Sequence, residues 1–167
     1  QRDELLDAET IRDNVGGIRS DVVGELVDRF VPPDSIDEQW DIAGLQAALE
    51  ADFGQRVDLV QWAAAQSELD AEGIQNHVQD LMAQVFADKE ASVGGETMRM
   101  LEKHIMLSVL DDNWKQHLAR MDYLRQGIHL RGYAQKQPKQ EYKREAFLLF
   151  GQLLDSVKND VTRILMN

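Results

Sequence analysis

The 167-residue chain contains no cysteine. That excludes disulfides, thiolate zinc sites and cysteine nucleophiles, and it is compatible with a reducing compartment. Proline is scarce, at three residues, and no internal repeat or low-complexity segment is present, which argues against disorder and against a strand-rich fold. No apolar run approaches membrane-spanning length; the longest, near Ile105 to Leu110, falls far short. No signal-peptide pattern opens the chain. It begins at Gln1, directly in helix-like sequence, as expected of a piece of a longer polypeptide.

Signatures of catalysis are missing as well. There is no G-x-x-x-x-G-K-[ST] phosphate loop, no H-E-x-x-H helix and no G-x-S-x-G elbow. His77, His104, His117 and His129 never pair at the i, i+4 spacing of a zinc-binding helix. His117 reads as a packed or partly exposed helix residue rather than a proton carrier. Asp111 and Asp112 are adjacent, so they face different sides of a helix and make a poor acid/base pair. The residues therefore suggest no catalytic, cofactor or metal site.

What is present is charge, unevenly placed. The net charge is −12, with 43% hydrophobic and 29% charged residues, ordinary values for a soluble domain long enough to bury a core. Residues 1–95 hold 21 acids and 6 bases, whereas residues 96–167 hold 9 acids and 12 bases. The acidic front half repels phosphates and argues against nucleic acid as a partner. Between Lys115 and Arg144 eight Lys/Arg face two acids, Asp122 and Glu141. Such a patch either meets an anionic partner or is a plain solvated turn.

Apolar spacing is helical throughout. Ile11, Val15, Ile18, Val22, Leu26 and Phe30 line one helix face, which Pro32 and Pro33 end. Ser35-x-x-Glu38 reads as a capping box before Trp40. Asp41, Asp58 and Asp70 each stand where they can cap a further helix, carrying Leu45, Leu49 and Phe53, then Val60 and Trp62, then Ile74, Val78, Leu81, Val85 and Phe86. These pieces predict a compact helical domain over residues 8–94.

Past Gly94 and Gly95 the pattern lengthens. Leu107, Leu110, Trp114, Leu118, Met121, Leu124 and Ile128 form a near-heptad stripe. Gly127, Gly132 and Pro138 bracket a break, and Tyr142, Ala146, Leu149, Leu153, Val157, Val161 and Ile164 resume the stripe. This predicts an antiparallel hairpin over 95–167, with arms of about 30 residues reaching on the order of 45 Å. Trp114, Leu118, Met121, Leu149 and Leu153 are its expected core, Trp114 being most simply an anchor of the seam. Trp114→Ala should cost about 3–5 kcal/mol if the ring is buried. Lys139, Lys143 and Arg144 open the second arm, where each cation opposes the helix dipole by roughly 0.3–1 kcal/mol, partly offset by Glu141 and Glu145. Stability alone would not select that cluster.

The run LDDNWKQHLARMDYLRQGIHLRGYAQKQPKQEYKREAF closely resembles the two-helix finger of the SecA preprotein translocase family. VPPDSIDEQWDIAGLQAALEADF resembles the opening of its helical wing domain, and QRDELLD, residues 1–7, the end of its long scaffold helix. Asn113 and Ala43 depart from the pattern, standing where other small or apolar residues are expected. The resemblance spans essentially the whole chain. It implies an all-α, non-catalytic portion of a protein-translocation motor, with ATP and Mg bound by domains preceding Gln1 and a zinc-binding tail following Asn167. It implies that Tyr133, matched through RGYAQ, contacts the moving preprotein. Arg131, Gly132, Gln135, Lys136, Lys139, Lys143 and Arg144 would form the surface that meets the SecY channel. Other implied partners are the motor domains of the parent chain, whose ATPase the finger regulates, and anionic lipid headgroups. The implied location is cytoplasmic, peripheral at the inner face of the bacterial plasma membrane. A free-standing helical adaptor or peptide-binding holdase is the alternative that amphipathicity alone supports.

Overall fold

A computed structural model describes residues 8–131 and 138–167, with side chains for 10–128 and 139–167. The fold is all-α, with no strand among the described residues. Helix α1 spans Ala8–Phe30, α2 Ile42–Phe53, α3 Leu59–Ala64, α4 Ala71–Val93, α5 Gly95–Arg131 and α6 Pro138–Met166. A single 3-10 turn, Asp37–Gln39, lies between α1 and α2.

Local chemistry sets most of these boundaries. The Val31 N–H still bonds to the Val27 carbonyl at 2.8 Å, and Pro32 then ends α1 because it has no N–H to continue the ladder. Asp41, Asp58 and Asp70 are N-caps, as their positions predict. Their carboxylates accept from the N–H groups of Gly44 at 2.9 Å, Gln61 at 3.3 Å and Gly73 at 2.7 Å. Gly54 closes α2 in the left-handed region at φ 67°. A Cβ there would also come within 2.5 Å of the Asn167 side-chain oxygen.

Two local expectations need correction. Ser35 does not cap a helix: its hydroxyl donates to the Pro32 carbonyl and accepts from Trp40 Nε1 at 2.9 Å. The Ile36 N–H takes the Gln39 side chain instead, at 3.1 Å. On α3 the buried residue is Leu59, whereas Val60 is 42% exposed. The short helix turns its first residue inward, one position earlier than the apolar pattern suggests.

One continuous core joins the front helices to the root of the hairpin. Ile11, Val15, Val22, Val23, Leu26 and Val27 of α1 sit at its centre. Leu45, Leu49 and Phe53 of α2 and Ile74, Val78 and Met82 of α4 close around them. Met98 and Val109 of α5, with Leu153, Val157, Val161 and Leu165 of α6, complete the cluster. Each fully buried Leu or Ile contributes roughly 1.5–3 kcal/mol of transfer free energy, so this cluster is the main source of stability. Further out, Leu124 and Ile128 are buried between the hairpin arms but lie outside the cluster.

The end of α6 is tied back at several points. Its last carbonyls would otherwise lack partners. Leu165 O accepts from Lys89 Nζ at 2.6 Å and Met166 O from Gln55 Nε2 at 3.2 Å. Arg163 O accepts from Asn167 Nδ2 at 2.6 Å, and the same amide reaches Asp52 O at 3.2 Å. The ammonium of Lys89 also suits the negative end of the helix dipole.

Candidate functional site: the α5–α6 hairpin

α5 and α6 run antiparallel and pack along most of their length. The buried line on α5 is Val109, Asn113, His117, Leu124 and Ile128; on α6 it is Leu153, Val157 and Val161. Asn113 explains how a polar residue sits there. Its amide donates to Val109 O at 2.8 Å and to Asp160 Oδ2 at 3.1 Å, and Arg163 holds the other Asp160 oxygen at 2.8 Å. An amide satisfied in this way fixes the register of two helices, since a one-turn slip would strand it.

This geometry overturns part of the expected hairpin core. Leu153 is buried, and Met121 and Leu149 are half-buried, but Trp114 is 45% and Leu118 49% exposed. The stripe Leu110, Trp114, Leu118 stands one residue, or about 100° of helix rotation, away from the seam line 109, 113, 117. Asn113 and His117 take the seam positions that an apolar pattern assigns to leucine and tryptophan. Asn113 departs from the small or apolar residue type expected there, but that departure does not by itself mark a seam position.

The displaced stripe forms a surface of its own. Leu107, Leu110, Trp114 and Leu118 of α5 are all exposed, as are Phe150 and Leu154 of α6. The Trp114 ring lies 5.4 Å from His117, and His117 lies 6.2 Å from Phe150 in an edge-on arrangement. The two exposed aromatics thus both lie against one buried imidazole. His117 Nδ1 is buried without a hydrogen-bond partner.

Toward the tip the surface becomes cationic. Arg125, Ile128, Lys139, Tyr142 and Lys143 line an open cleft of about 440 Å³. Lys139, Lys143 and Arg144 are exposed; Arg144 bonds Glu141 at 2.6 Å, and Arg125 pairs with Asp122 at 3.7 Å. Exposed pairs of this kind contribute about 0–1 kcal/mol and leave the cations open to a partner. Gly132, Tyr133, Gln135 and Lys136, and the side chain of Arg131, lie outside the described residues. Among the described residues no group of three or more His, Cys, Asp or Glu is arranged to hold a metal ion, and no helix is long and apolar enough to cross a membrane. A larger cavity of about 540 Å³ lies away from the hairpin, lined by Asp28, Asp34, Asp70 and Glu72.

A helical bundle that grips the root of a long, apolar-flanked, cation-tipped hairpin is a scaffold-type protein. The family model described as the SecA Wing and Scaffold domain matches residues 1–167, and the chain belongs to that family. It is 64% identical over 165 residues to the protein translocase subunit SecA of Stenotrophomonas maltophilia (strain R551-3). It is 61% identical to that of Xanthomonas euvesicatoria pv. vesicatoria (strain 85-10) and 62% to that of Xanthomonas campestris pv. campestris (strain B100). Each match covers 99% of this chain and 18% of the relative, so the chain spans less than a fifth of the length of these relatives.

Proposed function

We propose that the chain is the non-catalytic wing and finger portion of a SecA-type protein-translocation motor. In this reading residues 1–7, which lie outside the described residues, belong to the scaffold, 8–94 form the wing and 95–167 the two-helix finger. Tyr133 touches the moving preprotein, since a tyrosine offers an apolar ring face and one hydroxyl to any sequence. Arg131, Gly132, Gln135, Lys136, Lys139, Lys143 and Arg144 meet the SecY channel, and the same cations can engage anionic lipid headgroups. The chain binds no nucleotide, zinc or nucleic acid of its own. ATP and Mg act in motor domains that the finger restrains, at the inner face of the plasma membrane.

The observation that carries this reading is the exposed stripe from Leu107 to Leu118 with Phe150 and Leu154. Soluble monomers rarely expose so continuous an apolar face without a partner. On a lever anchored in the core, it is suited to contact the motor domains of the same protein. The test is Tyr133→Ala in the full-length translocase containing this sequence. Translocation should fall sharply while nucleotide binding and helicity are retained; unchanged transport overturns the tip assignment. Clear ATP turnover by the 167-residue chain alone would contradict its non-catalytic role.

The same stripe also favours a second reading, a holdase that captures unfolded polypeptide. That reading expects the chain to bind denatured protein through Trp114 and Phe150 with no dependence on Tyr133.

A further inference from the structure

Glu102 is the least accessible charged residue among the described ones, with 0% exposure. It sits on α5 about two turns past the break between α4 and α5. That break is one residue, Gly94, at φ 92°, a positive φ that glycine adopts without strain. A Cβ on Gly94 or Gly95 would meet nothing within 4 Å, so the space beside both residues is open.

The ionic link across it is Arg99. Its guanidinium bonds Glu90 on the last turns of α4 and Glu102 Oε1 at 2.8 Å on α5. Arg12 and Arg19 of α1 also lie near enough to act electrostatically on Glu102, Arg19 with its guanidinium over the Phe86 ring at 4.9 Å. The charged groups around Glu102 are thus Arg12 and Arg19 on α1, Glu90 on α4 and Arg99 on α5. Three helices converge on one carboxylate.

That carboxylate is incompletely satisfied. Glu102 Oε2 and Arg99 Nε are buried with no hydrogen-bond partner. A buried ion pair with unmet polar atoms is usually less stable than an apolar replacement of similar volume, so packing alone does not explain it. Its distinguishing property is that adding a proton to Glu102 removes a buried charge and weakens the hold on Arg99 at once. Burial pushes the carboxyl above its ordinary range; Arg99 opposes this, Glu90 adds to it, and Arg12 and Arg19 pull the other way.

We propose that Glu102 is a proton-operated latch on the α4–α5 joint, closed while its carboxylate holds Arg99 and open once it is protonated. Closed, it fixes the first turns of α5 against α4 and α1. Open, it leaves Arg99 to Glu90 alone and frees the Gly94 pivot, which broadens the range of angles between α4 and the hairpin.

The absence of cysteine makes the test direct, because introduced thiols are the only ones present. Spin labels at Gln84→Cys on α4 and Gln126→Cys on α5, both exposed positions, report the distance distribution across the joint. The distribution should be narrow at a pH well above the folded carboxyl's pKa and broaden at a pH well below it, the pKa itself being raised by burial. Glu102→Gln should be broad at both pH values and lose the response. Arg99→Lys, which replaces the two-pronged guanidinium by a single ammonium, should broaden the distribution without acid. A narrow distribution in either folded variant, or a pH response that survives Glu102→Gln, overturns the latch. So does unfolding of both variants, because a latch is dispensable to the fold and a structural keystone is not.

Discussion

α1 and α5 carry apolar stripes of similar regularity, yet they end in opposite environments. On α1 the stripe of Ile11, Val15, Val22 and Leu26 is buried, and Val23 and Val27 beside it are buried too, because helices close on it from more than one side. On α5 the stripe of Leu107, Leu110, Trp114 and Leu118 faces outward, while the adjacent line through Asn113 and His117 meets α6. Periodicity identifies an amphipathic helix in both cases. It does not say which neighbour covers the face, and on a two-helix arm there is only one neighbour to do so. A stripe wider than one partner can cover leaves an edge available to a third surface.

Point substitutions can break this contrast, beginning with the strongest. Ile74→Ala, in the core with 0% exposure, should destabilise the chain by about 2–5 kcal/mol in urea unfolding. Equal loss at any α5 stripe position would erase the distinction. Asn113→Ala removes the amide from Val109 O and Asp160 and should cost about 1–3 kcal/mol, with faster amide exchange in the middle of the hairpin. No change there would mean that the seam register is set by its apolar residues alone.

Glu102 makes a directional prediction. Its folded-state carboxyl is raised above the unfolded value, so the folded chain binds the proton more tightly. The resulting stabilisation is fully present below the unfolded pKa and is lost as pH rises through the folded one. Relative to Glu102→Gln, the wild-type chain should therefore lose stability with rising pH across that window. The opposite slope would mean that the arginines outweigh desolvation. The smallest effect is expected at Trp114→Ala, about 1 kcal/mol or less, because nearly half of the residue is already in water. A loss of about 3–5 kcal/mol, the value for a buried ring, would return Trp114 to the seam.

The parts legible in the sequence were those decided by a few neighbouring residues. The caps at Asp41, Asp58 and Asp70 act over three residues, and the stop after Phe30 follows from Pro32, so both can be read along the chain. The all-α class and the pair of long helices follow from period and length. The seam register was not legible, because nothing in the sequence near Asn113 and His117 names Asp160 and Phe150 as their partners. Nor was the Glu102 cluster, whose members come from three helices with no common spacing. The expected tip contacts at Tyr133 and its neighbours fall on residues whose placement is not described, so they stand on resemblance alone.

The tethered end of α6 has a mechanical consequence. A helix whose final carbonyls face only water frays under compression. Here the terminal turn butts against Gln55, Lys89 and, through Asn167, the Asp52 carbonyl. A load along α6 would therefore pass into the end of α2 and into α4 through backbone carbonyls as well as through side-chain packing, as into the seat of a piston.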